Sequence, residues 1–511
     1  MQKNDQNLLQ KIEALESRLN QALKENASLK QENKLLREKV DLLVRRSFSS
    51  KSESILHPEF NLEIKTSSQL VELADTPSPK ARKESPEVKV RKKRVLADLP
   101  TQVQVIDPEP VLANPDAYRC IGEEVSEAYD YQPGRFFKNQ IIRRKYVSKT
   151  QKQKAPVIAP LPPLLQERCH AAPGLIAAVI VGKYVDHLPL YRQEQIFLSR
   201  HGVEISRQSL CHWIGLAADW LKPLYRILSN EIFENGYVQC DETPIRYLLP
   251  GNGTTKTGYL WVVRDPRPGG EALYRWDPSR SSKVLEELIP PEVKILMQCD
   301  GFSAYESYAQ KHPDFIELAA CWAHVRRKFF EAQEHELKKA KRILRLIKLL
   351  YAYERSWKDL TSEQRLEKRI EFSKPWIERF WKILTTWTLQ KKFLPKSSMG
   401  RAIQYAFSLR ARLEVFLSDG RVQIDNNLVE NSVRPTAIGK KNWLFFGGEE
   451  AGERSAILFT LVESCKRHQI NPLDYFKHVL TEIPKYTNHT VHSLTPRAYA
   501  QSIRTPKALA A

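Results

Sequence analysis

Three acidic positions carry the chemistry that this sequence offers. Asp241 follows the apolar run Tyr237-Val-Gln-Cys240, and Asp300 follows the run Val293 to Met297. A carboxylate at the end of a buried strand is costly unless it is paired or holds a cation. The ends of strands in an α/β sheet are also where sites are built. The third position, Glu430, lies in Asp425-Asn-Asn-Leu-Val-Glu430-Asn-Ser-Val-Arg434, where Glu430 and Arg434 share a face if the segment is helical. Oxygen ligands without a Cys/His pair at zinc spacing suit Mg²⁺ or Mn²⁺. Two such ions about 3.5–4 Å apart activate the attacking oxygen and stabilise the leaving oxygen of a phosphodiester. One carboxylate bridging the ions and two holding them is the minimal cage. Any one of these acids taken alone reads more simply as a helix cap or a surface ion-pair partner; it is the set of three that points to a site.

The composition supplies a partner for that chemistry. Lys and Arg number 80 against 60 Asp and Glu, so the chain of 511 residues carries +20 and a polyanion is the first partner to consider. The surplus is uneven: residues 201–300, which hold Asp241 and Asp300, carry −2, whereas 301–400 carry +9. Hydrophobic residues at 42% can fill a real core. No run of about 18 apolar residues is present, so no membrane span is expected. The start has no apolar signal region, and seven cysteines fit a reduced compartment. A cytoplasmic, nucleoid-associated protein is expected, not a secreted one.

Several elements must position the acids. Leu8, Leu15, Ala22, Leu29, Leu36 and Leu43 recur every seven residues, with Ile12, Leu19, Asn26, Asn33 and Val40 on the other seam position. This predicts a coiled coil over 1–46 and self-association through it. Residues 47–115 are rich in Ser, Pro, Lys and Glu, a disordered basic linker with five basic residues between Lys89 and Arg94. A small unit and a second linker occupy 116–164. Over 165–230 a helix, the break His201-Gly202 and a second helix capped by Ser206 outline a helix-turn-helix with Arg207 and Gln208 at its reading end. From Gly236 the order is three strands, a helix, a strand, a helix and a strand, an α/β layer. Residues 324–418 read as helical and basic. A helix from about Gly452 to His468 closes the structured region, with a loose end expected from Tyr486.

Taken in order, these motifs resemble the transposases of the insertion-sequence-66 family. The resemblance rests on Lys51-Ser-Glu53, Lys183-Tyr-Val-Asp-His-Leu-Pro-Leu-Tyr-Arg-Gln193, Asp241-Glu-Thr243, Asp300-Gly301 with Tyr305, and Cys321-Trp-Ala-His-Val-Arg-Arg327. It continues through Asp425-Asn-Asn427, Glu430-Asn431, Arg434 and Gly439-Lys-Lys-Asn-Trp-Leu-Phe445, with a similar C-terminal helix through Pro472. It implies a DDE-class enzyme with a ribonuclease H-like mixed sheet over 231–448, interrupted by the helical insertion, with 449–511 forming the C-terminal helix and tail. It implies Asp241, Asp300 and Glu430 as a triad holding Mg²⁺ or Mn²⁺, two ions in all. The activity implied is cleavage at transposon terminal inverted repeats and strand transfer into target DNA within a multimeric complex; many elements of the family also encode small accessory proteins, which are possible further partners. Charge and position add Arg434, Lys440 and Lys441 as DNA contacts, and Arg326 and Arg327 beside His324. A catalytically inactive, transposon-derived DNA-binding protein is the alternative, and it would lack one of the acids.

One departure is visible. The family's small zinc unit uses two cysteine pairs, whereas Cys120 is the only cysteine here ahead of Cys169. A single thiol cannot make a four-cysteine site, so no zinc is expected in 116–164. Cys240, Cys299 and Cys321 read as core, Trp443 and Phe445 more as core than as base-stacking residues, and His324 is evenly balanced between approaching the active site or DNA and having no such role.

Overall fold

The computed structural model describes residues 169–249, 251 and 253–504, together with 134, 136–141, 145–146, 157–158, 162–167 and twelve positions between Arg18 and Arg37. Those twelve are helical, and Leu19, Leu23, Leu29 and Leu36 among them are exposed. The linker expected over 47–115 lies outside the described residues, as does most of the 116–164 unit with Cys120. Lys145–Tyr146 pairs antiparallel with Val157–Ile158.

The chain is mixed α/β. Its central sheet is built from β1 (Tyr237–Leu248), β2 (Thr255–Arg264), β3 (Ala272–Asp277), β4 (Ile295–Gln298) and β5 (Ile316–Ala319), in the order β3-β2-β1-β4-β5. The first three run antiparallel to their neighbours, while β4 runs parallel to β1 and β5 parallel to β4. A two-residue strand, β6 (Phe445–Phe446), adds parallel to the far half of β1. Both hydrogen-bonding edges of β1 are therefore used, which makes it the centre of the sheet.

Period-two alternation sorts side chains to the two faces. Leu260 and Val262 of β2 join one core with Ile245 and Tyr247 of β1; Trp261 and Val263 join another with Val238 and Cys240. The first face is covered by α1 (Pro173–Tyr184), α3 (Arg207–Glu231), α13 (Glu449–Arg467) and α14 (Pro472–Glu482). The other is covered by α4 (Lys283–Leu288) and α5 (Ser303–Lys311). The helix α2 (Leu190–His201) ends on Gly202 in the left-handed region, φ 64°, where an L side chain would be strained. Ser206 then caps α3 by accepting from the Ser209 amide at 3.2 Å.

The helical segment contains α6 (Trp322–Glu331), α7 (Leu337–Ser356), α8 (Ser362–Lys368), α9 (Lys374–Leu389), α10 (Ser398–Ser408) and α11 (Arg410–Glu414), followed by α12 (Asn427–Trp443). Its core, around Trp322, Phe329, Phe380 and Trp381, is continuous with Tyr237, Leu296 and Ala319 of the sheet. Arg369 is fully buried there. It donates to both Glu354 oxygens at 2.8 and 2.7 Å and to the carbonyls of Phe416, Asp419 and Val422 at 2.9, 3.2 and 2.8 Å. All five guanidinium donors go into these bonds.

Two expectations need correction. β1 does not stop at Asp241 but continues through Leu248, because β2 pairs with it along its whole outer half. The end of the chain is not loose from Tyr486: Val491 and Leu494 are buried, Tyr475 donates to the Leu494 carbonyl at 2.9 Å, and α15 (Pro496–Arg504) follows. Apolar anchors separated by short polar runs hid this ordered end. Among the described residues no helix is long and apolar enough to cross a membrane.

Candidate active site

The sheet register brings Asp241 and Asp300 together. Gln239 on β1 stands opposite Gln298 on β4, and each Asp lies two residues further along its own chain. Cys240 and Cys299, one residue earlier, are buried in the core beneath α4 and α5. Alternation therefore turns Asp241 to the opposite face, the one toward α12.

Glu430 arrives from a segment far away in sequence, and its route can be followed bond by bond. Gln239 and Gln298 are fully buried. The Gln239 amide donates to Gln298 Oε1 and to the Asp425 carbonyl, both at 2.9 Å, and accepts from the Val429 amide at 3.3 Å. Gln298 donates to the carbonyls of Gln423 at 2.8 Å and Ala320 at 3.3 Å. Tyr237 donates its hydroxyl to Gln298 Oε1 at 2.7 Å and accepts from the Gln423 amide at 2.9 Å. From α6, the Trp322 amide donates to the Ile424 carbonyl at 3.1 Å, and the Asn426 amide donates to Cys321 Sγ at 3.4 Å. The segment 423–429 is thus sewn onto β1, β4 and the start of α6. It sets Glu430 in the first turn of α12, where the helix dipole favours a carboxylate.

Asp241 feels the charge of the other two acids. Burial pushes the Asp241 carboxyl up to about 8, reinforced by the negative charges of Glu242, Glu430 and Asp300. The Glu242 amide, donating to Asp241 Oδ1 at 2.9 Å, opposes this in part. Asp300 Oδ1 accepts from the Phe302 amide at 2.9 Å. His324 on α6 brings Nε2 within 3.8 Å of Glu430 Oε1. Among the described residues no three His, Cys, Asp or Glu side chains are grouped closely enough to enclose a metal ion as they stand. The donors are hard oxygens whose mutual repulsion a divalent cation would relieve, so their chemistry fits Mg²⁺ or Mn²⁺.

Glu242, inside the Asp241-Glu-Thr243 motif, adjoins the site but turns to the other face of β1, toward α5. Its side chain is almost wholly buried, pairs with Arg280, and accepts from the Tyr305 hydroxyl at 2.6 Å. Arg280 also lies over the Phe302 ring, 3.7 Å from its centroid. An acid directly after Asp241, together with the Tyr305 of the Asp300 motif, was the available signal.

The basic positions are distributed differently. Arg434 and Lys441 are exposed on α12. Lys440 is half-buried and donates to Thr243 Oγ1 and the Pro244 carbonyl, both at 3.1 Å, so it is anchored on β1. Arg326 and Arg327 are half-buried on α6. Arg207 and Gln208 are exposed at the start of α3, with Arg207 paired to Glu194 of α2 at 3.5 Å. Cys321 is core, Trp443 stacks on Phe446 with ring centroids 4.9 Å apart, and Phe445 is exposed.

Comparison with known proteins turns this arrangement into a family. Residues 168–454 match the model of the Transposase IS66 family, and residues 460–496 match the IS66 C-terminal element. The chain belongs to the IS66 transposase family. The first match spans α1 to α12 and all three acids, and the second takes in the latter part of α13 and all of α14. Relatives in Sinorhizobium fredii include the uncharacterized protein y4qI, 35% identical over 377 residues (71% of this chain and 68% of that protein). Another is the uncharacterized protein y4jD, 30% identical over 471 residues (88% and 91%).

Proposed function

We propose that this IS66 family member is a DNA transposase that binds insertion-sequence ends, cleaves them and joins them to target DNA, with Asp241, Asp300 and Glu430 as its metal-holding triad. The observation that carries this reading is a buried Asp241 on β1, raised to about 8 first by burial and then by the charges of Glu242, Glu430 of α12 and Asp300 beyond the end of β4. Such a cluster is unfavourable in isolation and is expected where a cation is to be held. The sheet order supports a ribonuclease H-like reading of 231–448, with 324–418 as its insertion. The pair α2–α3 with its Gly202 turn supports the helix-turn-helix reading, and the heptads of 1–46 support self-association.

Bound between the acids, one or two divalent ions would polarise the scissile phosphate and lower the pKa of the attacking hydroxyl. The chain's own residues supply the rest. Asp241 and Asp300 would hold the cation from the sheet side and Glu430 from α12. His324, 3.8 Å from Glu430 Oε1, would add positive charge beside that carboxylate when protonated. Arg434 and Lys441 contact backbone phosphates beside the cut, while Lys440 braces α12 against β1. Arg326 and Arg327 flank the same rim, and Arg207 and Gln208 reach the end sequence. Terminal inverted repeats and target DNA are the partners, together with a second copy of this chain.

The test is to incubate the protein with Mn²⁺ and a labelled element end. Cleavage that disappears in Asp241→Ala and Asp300→Ala while end binding persists is expected. Intact binding without any cleavage by the natural chain would favour an inactive derivative.

A further inference from the structure

We infer that the exposed face of α7 is a duplex-DNA backbone contact, separate from the catalytic acids and from α3. The inference rests on the transposase reading and extends it to a surface that the triad does not use.

The helix reads Leu337-Lys-Lys-Ala-Lys-Arg-Ile-Leu-Arg-Leu-Ile-Lys348, with six cations and no carboxylate before Glu354. Five of the six, Lys338, Lys341, Arg342, Arg345 and Lys348, are exposed. At 100° per residue they fall in one stripe about 120° wide, opposite the buried Ala340, Ile343, Ile347 and Leu350. The sixth, Lys339, turns away and bonds Glu336 at 3.0 Å. None of the five has an ion-pair partner among the described residues. A solubilising helix face normally interleaves acids with bases; this one does not.

The spacing matches a polyanion. Ten residues at about 1.5 Å each give a stripe about 15 Å long. That is one cation every 3–4 Å or so, close to the roughly 3.4 Å per phosphate along one DNA strand. Arg342 also borders a cleft of about 590 Å³ shared with Arg379 and Lys382 of α9, which widens the positive surface beyond one helix; Glu378 is the acid in that cleft. Side chains that make no directional bonds predict affinity without sequence preference.

The experiment uses the full chain with Lys338, Lys341, Arg345 and Lys348 all changed to Ala, a good helix former at exposed sites. Circular dichroism melting confirms the fold. Binding is read by anisotropy across a KCl series, with a labelled element-end duplex and a labelled duplex of unrelated sequence. The slope of log Kd against log salt is expected to fall by about 0.9 for each phosphate that is no longer neutralised, by the same amount on both duplexes. A control with four other exposed cations, Lys256, Lys283, Lys294 and Lys477, changed to Ala is expected to keep most of the natural slope. An unchanged slope in the α7 variant, or an equal drop in the control, would overturn the proposed DNA-binding face while leaving the transposase reading intact. If the natural chain bound neither duplex, the transposase reading would fall first and this one with it.

Discussion

Asp241 on β1 and Asp300, just past the end of the parallel neighbour β4, each lie two residues beyond the paired position where Gln239 stands opposite Gln298. Parallel neighbours in register place these two carboxylates on the same side of the sheet, and the charge of Asp300 is among those that raise Asp241. The arrangement costs stability when no cation is present, and that cost is measurable.

Asp241→Asn should therefore stabilise the metal-free protein. The carboxyl ordinarily titrates near 3.9 and is raised to about 8 in the fold, first by burial and then by its acidic neighbours. A group with a raised folded value contributes stability that is fully present below about pH 4 and lost as pH rises through about 8. In chelator, the variant should melt above the natural chain at pH 8.5, by an amount equivalent to a few kcal/mol, with the gap closing toward pH 4. Scanning calorimetry at several pH values checks this; equal melting points at pH 8.5 would count against the burial of a charged Asp241.

Gln239→Leu should destabilise the protein by about 2–4 kcal/mol, because it strands the Asp425 carbonyl, the Val429 amide and part of Gln298 in a buried setting. Urea unfolding reads the loss. A change below about 0.5 kcal/mol would mean that segment 423–429 is held some other way.

Arg369→Lys, conservative in charge, should be severe. An ammonium cannot reproduce a planar fork that serves a carboxylate and three carbonyls at once. A loss of about 3–5 kcal/mol is expected from broken buried ion-pair geometry. Denaturation by guanidinium measures it, and a near-neutral result would contradict the hub assigned to this residue.

The adjacent lysines of α12 should separate. Lys441→Ala should leave the melting point unchanged and lower the salt slope of DNA binding by about 1. Lys440→Ala should cost about 1–2 kcal/mol of stability, since its ammonium is spent on Thr243 and Pro244. Paired melting and anisotropy measurements distinguish the two.

Much of this fold was legible because its signals were local. Apolar runs marked the five main strands, and Ser206 and Gly202 marked the helix ends around the turn. The acids stood out because each sits after or near such a run. What stayed hidden depends on packing across long separations. Nothing near Arg369 announces that a charged residue will be buried among residues about fifty positions away. The two glutamines beneath the acids look like ordinary polar strand residues until segment 423–429 folds over them. Glu242 follows Asp241 directly, but its burial needs Arg280 and Tyr305, which arrive later in the chain. Lys440 and Lys441 look alike in sequence; only the register of α12 against β1 tells them apart.

The most direct test of a single metal site shared by three elements is a Mn²⁺ titration by electron paramagnetic resonance, without DNA. The natural chain should bind Mn²⁺, and Asp241→Asn, Asp300→Asn and Glu430→Gln should each weaken that binding by at least tenfold while staying folded. Unchanged Mn²⁺ affinity in all three variants would show that these carboxylates do not form the site.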